Sequence, residues 1–263
     1  MSDKKTIWLM GGFGNVLFQG FIFFILKQKT KTDPALNGWL IRRNIITKTL
    51  NWTIHDNSIS DYIFRNIIYN ERIGLKTLFL LIIKKYFKIN SKQITLYEVD
   101  KKINFESKHF FGYFQSNELI IENPTIFRNY CEHIRNNIQL FENKTKTIVI
   151  HYRWADSDWA KKNNYYYQKV KNEVKEKYST HQIRIVTDDV SKAKIEFKDV
   201  NGTVIIRNTV LEDFRELCSA KILFVAPSTF SFWAAHIGAN EIVYFPKLCK
   251  DKMHNNSKKI MLD

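Results

Sequence analysis

The chain has 263 residues, 44% of them hydrophobic and 14% aromatic, and a formal net charge of +15. That apolar content supplies a packed core and excludes a disordered chain, and the length fits two compact lobes. The charge favours anionic partners, yet the lysines are scattered and no arginine-rich arm, RRM, KH or zinc-finger spacing is present, which argues against nucleic acid.

In chain order, Thr6–Met10 reads as a short buried strand, followed by the glycine-rich turn Gly11-Gly12-Phe13-Gly14. Val16–Leu26 is apolar almost all round, the pattern of a helix buried on most sides. Helices are expected near Asp61–Tyr69, Leu75–Phe87 and Pro124–Leu140. The segment Leu75–Lys88 is apolar and flanked by Lys84, Lys85 and Lys88. It reads as a packed helix, with a membrane-surface patch as the alternative. No internal repeat or low-complexity linker is visible, and two domains are expected, residues 1–142 and 143–263.

From Lys146 the pattern becomes regular. Strands are expected at Thr147–Tyr152, Ile183–Thr187, Thr203–Ile206, Ile222–Ala226 and Ile242–Phe245. Helices alternate with them at Tyr165–Tyr178, Val190–Phe197, Leu211–Ser219 and Thr229–Ile237. Such alternation predicts a doubly wound parallel sheet in an α/β fold, whose ligand lies beyond the carboxyl ends of the strands.

Three polar clusters fall at those ends. His151-Tyr152-Arg153-Trp154-Ala155-Asp156 closes the first strand, Thr187-Asp188-Asp189 the second, and Pro227-Ser228-Thr229-Phe230-Ser231 the fourth. Arg153 leaves an apolar strand, and its planar fork suits a phosphate; the alternative is a salt bridge to Asp156, Asp158 or Asp188. Ser228, Thr229 and Ser231 begin a helix whose first amides lack intrahelical partners, an anion site or an ordinary N-cap. Asp188 and Asp189 are candidates to cap the next helix, bind a nucleoside or orient Arg153. His151, two residues before Arg153, points to the same strand face. Phe230, Phe232 and Trp233 are expected in the core. The run Gly11–Asn15 allows close backbone approach but is not a complete G-x-G-x-x-G.

Cys131, Cys218 and Cys249 are far apart, neither a disulfide framework nor a zinc set, which favours a reducing cytosol. Met1–Thr6 is polar and leads straight into a strand, so no signal peptide is expected. The apolar runs Phe21–Leu26 and Leu78–Ile83 are far short of the ~20 residues that span a bilayer. The expected location is the cytoplasm, including its face of the inner membrane.

With these residues in hand, the chain resembles the bacterial α-1,2-fucosyltransferases of glycosyltransferase family 11. Gly11-Gly12-Phe13-Gly14-Asn15-Val16-Leu17-Phe18-Gln19 looks like that family's G-G-L-G-N-Q-M-F-Q opening. Gly112-Tyr113-Phe114-Gln115-Ser116 is similar to its G-Y-F-Q-S, and His151-Tyr152-Arg153 to H-x-R-R-G-D. Val186-Thr187-Asp188-Asp189 resembles F-S-D-D, and Ser228–Ala235 resembles S-T-F-S-W-W-A-A. Departures are Trp154 in place of the second arginine, Ala155 in place of the glycine, Phe13, Val16 and Leu17 in the opening, and Pro227 where asparagine is usual.

The resemblance implies a GT-B-like fold, two Rossmann-like lobes with the active site in the cleft between them. It implies an N-terminal acceptor-side lobe, a C-terminal GDP-sugar lobe, and inverting, metal-independent transfer of L-fucose from GDP-fucose to the 2-hydroxyl of a galactoside. No cofactor is implied. By the same resemblance Arg153, Ser228, Thr229 and Ser231 hold the diphosphate, Asp188 or Asp189 contacts or orients the nucleotide, and Asn15 reaches the donor; Gly12 and Gly14 join the donor-binding set. From the residues themselves, Arg153 and His151 are assigned to catalysis, and Asp156 or Asp158 is a candidate base for the acceptor hydroxyl. The partner implied is a glycan or lipid-linked acceptor, as in O-antigen or other polysaccharide synthesis; the lysine excess beside Leu78–Ile83 adds an anionic membrane face as an expected peripheral contact. Rival readings are another GDP-6-deoxyhexose donor, a metal-dependent transferase using Asp156-Ser157-Asp158 as D-x-D, and a basic nucleic-acid- or lipid-binding protein.

Overall fold

The computed structural model describes residues 4–30, 32–41, 62–64, 67–69, 72–77, 79, 81, 94–96, 103–140, 147–155, 164–247 and 258–262. Two compact units divide the chain, Met1–Tyr130 and Cys131–Asp263. The division falls inside a helix, whereas the sequence reading set it at 142/143, beyond that helix.

The first unit holds five parallel strands: β1 (Thr6–Trp8), β2 (Ala35–Asn37), β3 (Ile68–Tyr69), β4 (Ile94–Leu96) and β5 (His109–Phe111), in spatial order β3-β2-β1-β5-β4. Thr6 pairs with Ala35 on one side and His109 on the other. Helix α1 (Phe13–Lys29) follows β1; its buried residues run from Phe13 to Leu26 and cover most of its circumference, as the apolar sequence predicts. One reason α1 packs so closely is Gly20. A Cβ there would stand 2.4 Å from the Tyr130 hydroxyl and 2.6 Å from the Phe64 ring. That hydroxyl donates to the Leu17 carbonyl at 2.7 Å. After β5 come α2 (Asn117–Ile121), capped by Ser116, and α3 (Pro124–Ile138), with proline at the first position, where its missing N–H costs nothing.

Ile68 and Tyr69 are strand, not the end of the helix expected over Asp61–Tyr69. Their two backbone pairs to Leu36 and Asn37 come from far along the chain and outweigh the local pattern. Residues 75–77, 79 and 81 are helical, and the rest of the Leu75–Phe87 expectation lies outside the described residues.

The second unit is the regular one. Its elements are β6 (Ile148–Tyr152), α4 (Asn164–Lys177), β7 (Ile183–Thr187), α5 (Val190–Glu196), β8 (Thr203–Ile206), α6 (Val210–Cys218), β9 (Ile222–Phe224), α7 (Thr229–Ile237), β10 (Ile242–Pro246) and β11 (Lys258–Leu262). The six strands are parallel in the order β8-β7-β6-β9-β10-β11, the Rossmann arrangement 3-2-1-4-5-6. Every residue of β6 is buried, as expected for a central parallel strand covered on both faces. Ile148, Ile150 and Tyr152 pack with Tyr166, Tyr167, Val170 and Val174 of α4 and with Ala193 and Phe197. His151 turns to the other face, where its ring lies 5.7 Å from that of Phe230.

Local chemistry fixes the helix ends. Asp189 caps α5, Ser228 caps α7, and Thr209 with Glu212 forms a capping box on α6. At the far end of α7, Arg135 donates from Nε to the Ile237 carbonyl at 2.6 Å, completing a helix terminus that has no internal partner. No helix among the described residues is long and apolar enough to cross a membrane.

Candidate functional site

The strand order reverses between β6 and β9. Chain leaving β6 runs through β7 to β8 and then returns to β9 on the opposite side of β6. A crevice opens at such a reversal, beyond the carboxyl ends of the two strands. The Arg153 loop follows β6 and the Pro227–Phe230 turn follows β9, so two of the three sequence clusters meet at this point. The third, Thr187–Asp189, ends the adjacent β7.

Arg153 is half-buried, and its backbone N–H donates to the Tyr167 hydroxyl at 3.2 Å. The loop is held mainly by Asp188. One oxygen of that carboxylate accepts from the amides of Trp154 at 2.8 Å and Ala155 at 3.2 Å. Asp188 therefore fixes the loop that carries Arg153 through its backbone. Asp189 accepts from the Lys192 amide at 2.9 Å and starts α5. Thr187 supports this turn through its hydroxyl, which accepts from the Asp189 amide at 3.0 Å.

Pro227, Ser228, Thr229 and Phe230 are all half-exposed at the start of α7. The Ser228 hydroxyl accepts from the Phe230 amide at 3.1 Å. Ser231 is fully buried and its hydroxyl donates to the Ala226 carbonyl at 2.7 Å. It thus ties the turn to the end of β9, while Ser228 and Thr229 stand nearer the surface. Phe230 is less buried than a core residue and lies between His151 and Phe214, 5.1 Å from the latter ring. Phe232 and Trp233 are buried as expected.

His151 sits beneath this opening, 6% exposed. Burial, and then the neighbouring Arg153 charge, hold its imidazole down at about 3. It is therefore neutral at physiological pH and too weakly basic to serve as an efficient general base there. Its Nδ1 is buried and has no hydrogen-bond partner among the described residues. Asp156 and Asp158 lie outside the described residues. Among the described residues no three His, Cys, Asp or Glu side chains gather as a metal site.

In the first unit β1 and β5 are neighbours, and the loops after them come together at their carboxyl ends. Gly11 has φ +78°, and a Cβ there would meet the Asn15 side chain at 2.7 Å and the Tyr113 ring at 2.8 Å. Gly12 caps α1 and Gly14 is buried in its first turn. Gln19, wholly buried on α1, clamps both loops. Its Oε1 accepts from the Met10 amide at 3.0 Å, and its Nε2 donates to the carbonyls of Met10 at 3.2 Å and Gly112 at 2.8 Å. Nearer the surface, Gln115 donates to Asn15 Oδ1 at 2.7 Å. Phe114, between these loops, has φ +51°, a left-handed conformation uncommon for a bulky residue.

Sequence reasoning singled out Asn15 but gave no role to Gln19, Tyr113, Gln115, Tyr167 or Lys192. Most of their contacts join segments that only the fold brings together, such as Gln19 with Gly112, Gln115 with Asn15 and Lys192 with Trp154; only the matching of Gln19 and Gln115 within the two quoted motifs hinted at them.

Comparison with known proteins bears on the fold. No family model matches the sequence, and no curated protein does. Among solved structures, Escherichia coli heptosyltransferase WaaC with ADP is similar at a TM-score of 0.52 and 10% identity, covering 99% of this chain and 93% of that one. Fucosyltransferase NodZ from Bradyrhizobium gives a TM-score of 0.44 at 10% identity over 89% of this chain and 92% of that one. A mutant of Arabidopsis thaliana FUT1 in complex with GDP gives 0.45 at 10% identity, over 93% and 70%. Two parallel-sheet, Rossmann-like lobes and the likeness to WaaC give this chain the α/β architecture of GT-B glycosyltransferases.

Proposed function

We propose that this protein is a glycosyltransferase that uses a GDP-sugar, and that it moves L-fucose from GDP-fucose to the 2-hydroxyl of a galactoside with inversion. The observation that carries the reading is the meeting of the Arg153 loop and the α7 N-terminus at the β6/β9 reversal. A guanidinium and a set of outward amides are complementary to a diphosphate. WaaC, solved with ADP, has the same architecture. The choice of guanosine and fucose rests on the five motif resemblances.

In this reading the acceptor oxygen forms a bond to the anomeric carbon as the bond to the GDP oxygen breaks, through an oxocarbenium-like transition state. Negative charge grows on the leaving diphosphate. Arg153, the α7 amides and the hydroxyls of Ser228 and Thr229 meet that charge, stabilising the transition state more than the ground state. Asp188 and Asp189 position the surrounding loops, and Ser231 ties the turn down. His151, kept neutral beneath the opening, does not compete with Arg153 for the ligand's charge. Asp156 is the proposed base for the acceptor hydroxyl, on sequence position alone. Gly12, Gly14 and Asn15 are proposed as further donor-binding residues.

The deciding experiment is thermal denaturation with nucleotides, followed by transfer assays in EDTA with and without Mn²⁺. A ligand at 100 times its Kd adds about 2.7 kcal/mol to stability, so GDP raises Tm well above the effect of UDP, CMP or ADP. Folded Arg153→Ala and Arg153→Lys lose that shift and lose turnover roughly 100- to 1,000-fold, since lysine keeps the charge but not the fork. Equal shifts with all nucleotides, or a folded Arg153→Ala enzyme with near-normal turnover, overturn the reading. A preference for another GDP-6-deoxyhexose corrects the sugar alone, and transfer that needs Mn²⁺ corrects the metal-free mechanism.

Peripheral contact with an anionic membrane is part of the same proposal. Leu75 is 85% exposed and Phe79 is 62% exposed, one turn apart on a helical stretch beside the exposed Arg72 and Lys76, whereas Leu81 is buried. Apolar side chains flanked by cations, on a chain of charge +15, suit an acidic lipid surface. The protein is expected to sediment with anionic and not neutral vesicles, and a Leu75→Ser/Phe79→Ser double variant to stay in solution. Sedimentation unaffected by lipid charge and by that variant rejects the contact.

A further inference from the structure

Trp154 occupies the place of a second arginine in the resembled motif. Its backbone is pinned by Asp188. Its indole lies stacked on Tyr152, ring centres 5.8 Å apart and planes 12° from parallel, and it packs against the core of the second unit. Above the indole stands the ammonium of Lys192, 4.9 Å from the ring centre. The backbone of Lys192 is in turn held by Asp189 in the first turn of α5. Both side chains are half-buried.

A lysine side chain on a short surface helix ordinarily samples many rotamers in water. The negative face of an indole selects the few that hold the ammonium over it. Two consecutive aspartates thus serve one arrangement: Asp188 fixes the indole's backbone and Asp189 fixes the lysine's. The result is a cation held at the carboxyl edge of β6 and β7, beside the loop that carries Arg153.

The faces of the sheet make the placement specific. His151 lies on the α7 side with Phe230, while Tyr152 and Trp154 lie on the side of α4 and α5. An anion crossing the end of β6 has the α7 turn on one side and the Trp154–Lys192 pair on the other. We infer that Lys192, held by Trp154, is a second cationic contact for the phosphates of the bound nucleotide. It carries from α5 the positive charge that this chain lacks at position 154. The inference rests on the nucleotide reading of the β6/β9 reversal.

The test is titration of the full chain with GDP and with guanosine, over a series of salt concentrations. Lys192→Met loses GDP affinity roughly tenfold or more, the weight of one charge-assisted contact. It leaves guanosine binding unchanged and flattens the salt dependence. Lys192→Arg restores most of the affinity, and Trp154→Leu weakens GDP as Lys192→Met does. Trp154→Phe keeps a ring and keeps most of the affinity. Circular dichroism and urea melts establish that each variant is folded; where Trp154→Leu is not, the Lys192 pair decides alone. If Lys192→Met binds GDP as tightly as the unmodified chain, while Arg153→Ala does not, Lys192 has no phosphate role and the site reading stands. Equal loss for GDP and guanosine also overturns the inference, because it marks a loop effect rather than a charge. If the unmodified chain binds no GDP, both readings fall together.

Discussion

Each unit of the molecule brings loops distant in the chain together at a central pair of neighbouring strands, β1/β5 and β6/β9, and the two junctions are built from opposite chemistry. At β1/β5 the loops carry glycines, an asparagine and a glutamine, and the clamp beneath them is the uncharged amide of Gln19. At β6/β9 the loops carry Arg153 and the open end of α7, and the supports are the carboxylates of Asp188 and Asp189. At the neutral clamp a Cβ on Gly11 would collide with the Asn15 and Tyr113 side chains, so the turn there is packed without charge. At the charged edge His151 is kept neutral, first by burial and then by the Arg153 charge. The difference teaches that a parallel sheet leaves the chemistry at its carboxyl edge to a few loop residues.

The largest expected effect breaks the comparison on pH. His151 titrates at about 3 in the folded chain, against an ordinary value of 6.5. Above 6.5 the histidine is neutral in both states and this contribution to stability is fully present. Below 6.5 the unfolded chain takes up a proton that the folded chain refuses, so stability falls as pH drops, by about 1.4 kcal/mol per pH unit, until the folded group titrates near 3. The whole effect is on the order of 4 to 5 kcal/mol. Asp213 opposes it over a narrower range. Burial raises its carboxyl to about 6 from 3.8, so the folded chain binds the extra proton, and that contribution is lost as pH rises through 6. Between pH 6 and 4 the two opposed slopes of about 1.4 kcal/mol per unit nearly cancel, so urea melts from pH 7.5 to 4 are expected to change little in the unmodified chain, whereas His151→Asn leaves the Asp213 gain of stability on acidification exposed. An identical acid limb in that variant removes the buried neutral histidine from the account.

The contrast between the units also explains what was legible beforehand. In the second unit, strands of three to five residues alternate with helices of seven to fourteen, and each stretch carries its own period. Its elements from β6 to β10 were therefore readable almost to the residue, and so was the edge on which Arg153, Asp188 and Ser228 emerge. In the first unit, strands of two or three residues are too short to show alternation. β2, β4 and β5 were not foreseen, and β3 was read as helix. The motifs singled out residues but not the partners they hold. Asp188 reaches back 34 residues to Trp154, and Gln19 reaches 93 residues to Gly112. Such pairs exist only once the sheet has formed, and local pattern carries no trace of them.

The smaller effect sharpens the comparison from the other side. Gln19 satisfies the amide of Met10 and the carbonyls of Met10 and Gly112 in a fully buried position. Gln19→Leu keeps the apolar bulk and leaves these groups without partners, at roughly 1 to 3 kcal/mol for a buried orphan, most for the amide. Relaxation of the loops recovers part of this, so a net loss of about 2 to 3 kcal/mol is expected. Because no group at this clamp titrates near neutrality, the loss is the same at pH 7.5 and pH 5, unlike the His151 effect. Gln19→Glu separates hydrogen bonding from shape, since a carboxylate accepts from Met10 N–H but cannot donate to the two carbonyls. Burial raises the pKa of that new carboxyl, and once protonated it donates again, so Gln19→Glu regains stability on acidification where Gln19→Leu does not. Urea melts of the two variants at both pH values decide the matter. A Gln19→Leu chain as stable as the unmodified one shows that the two loops are held by the sheet and α1 alone, without the amide clamp.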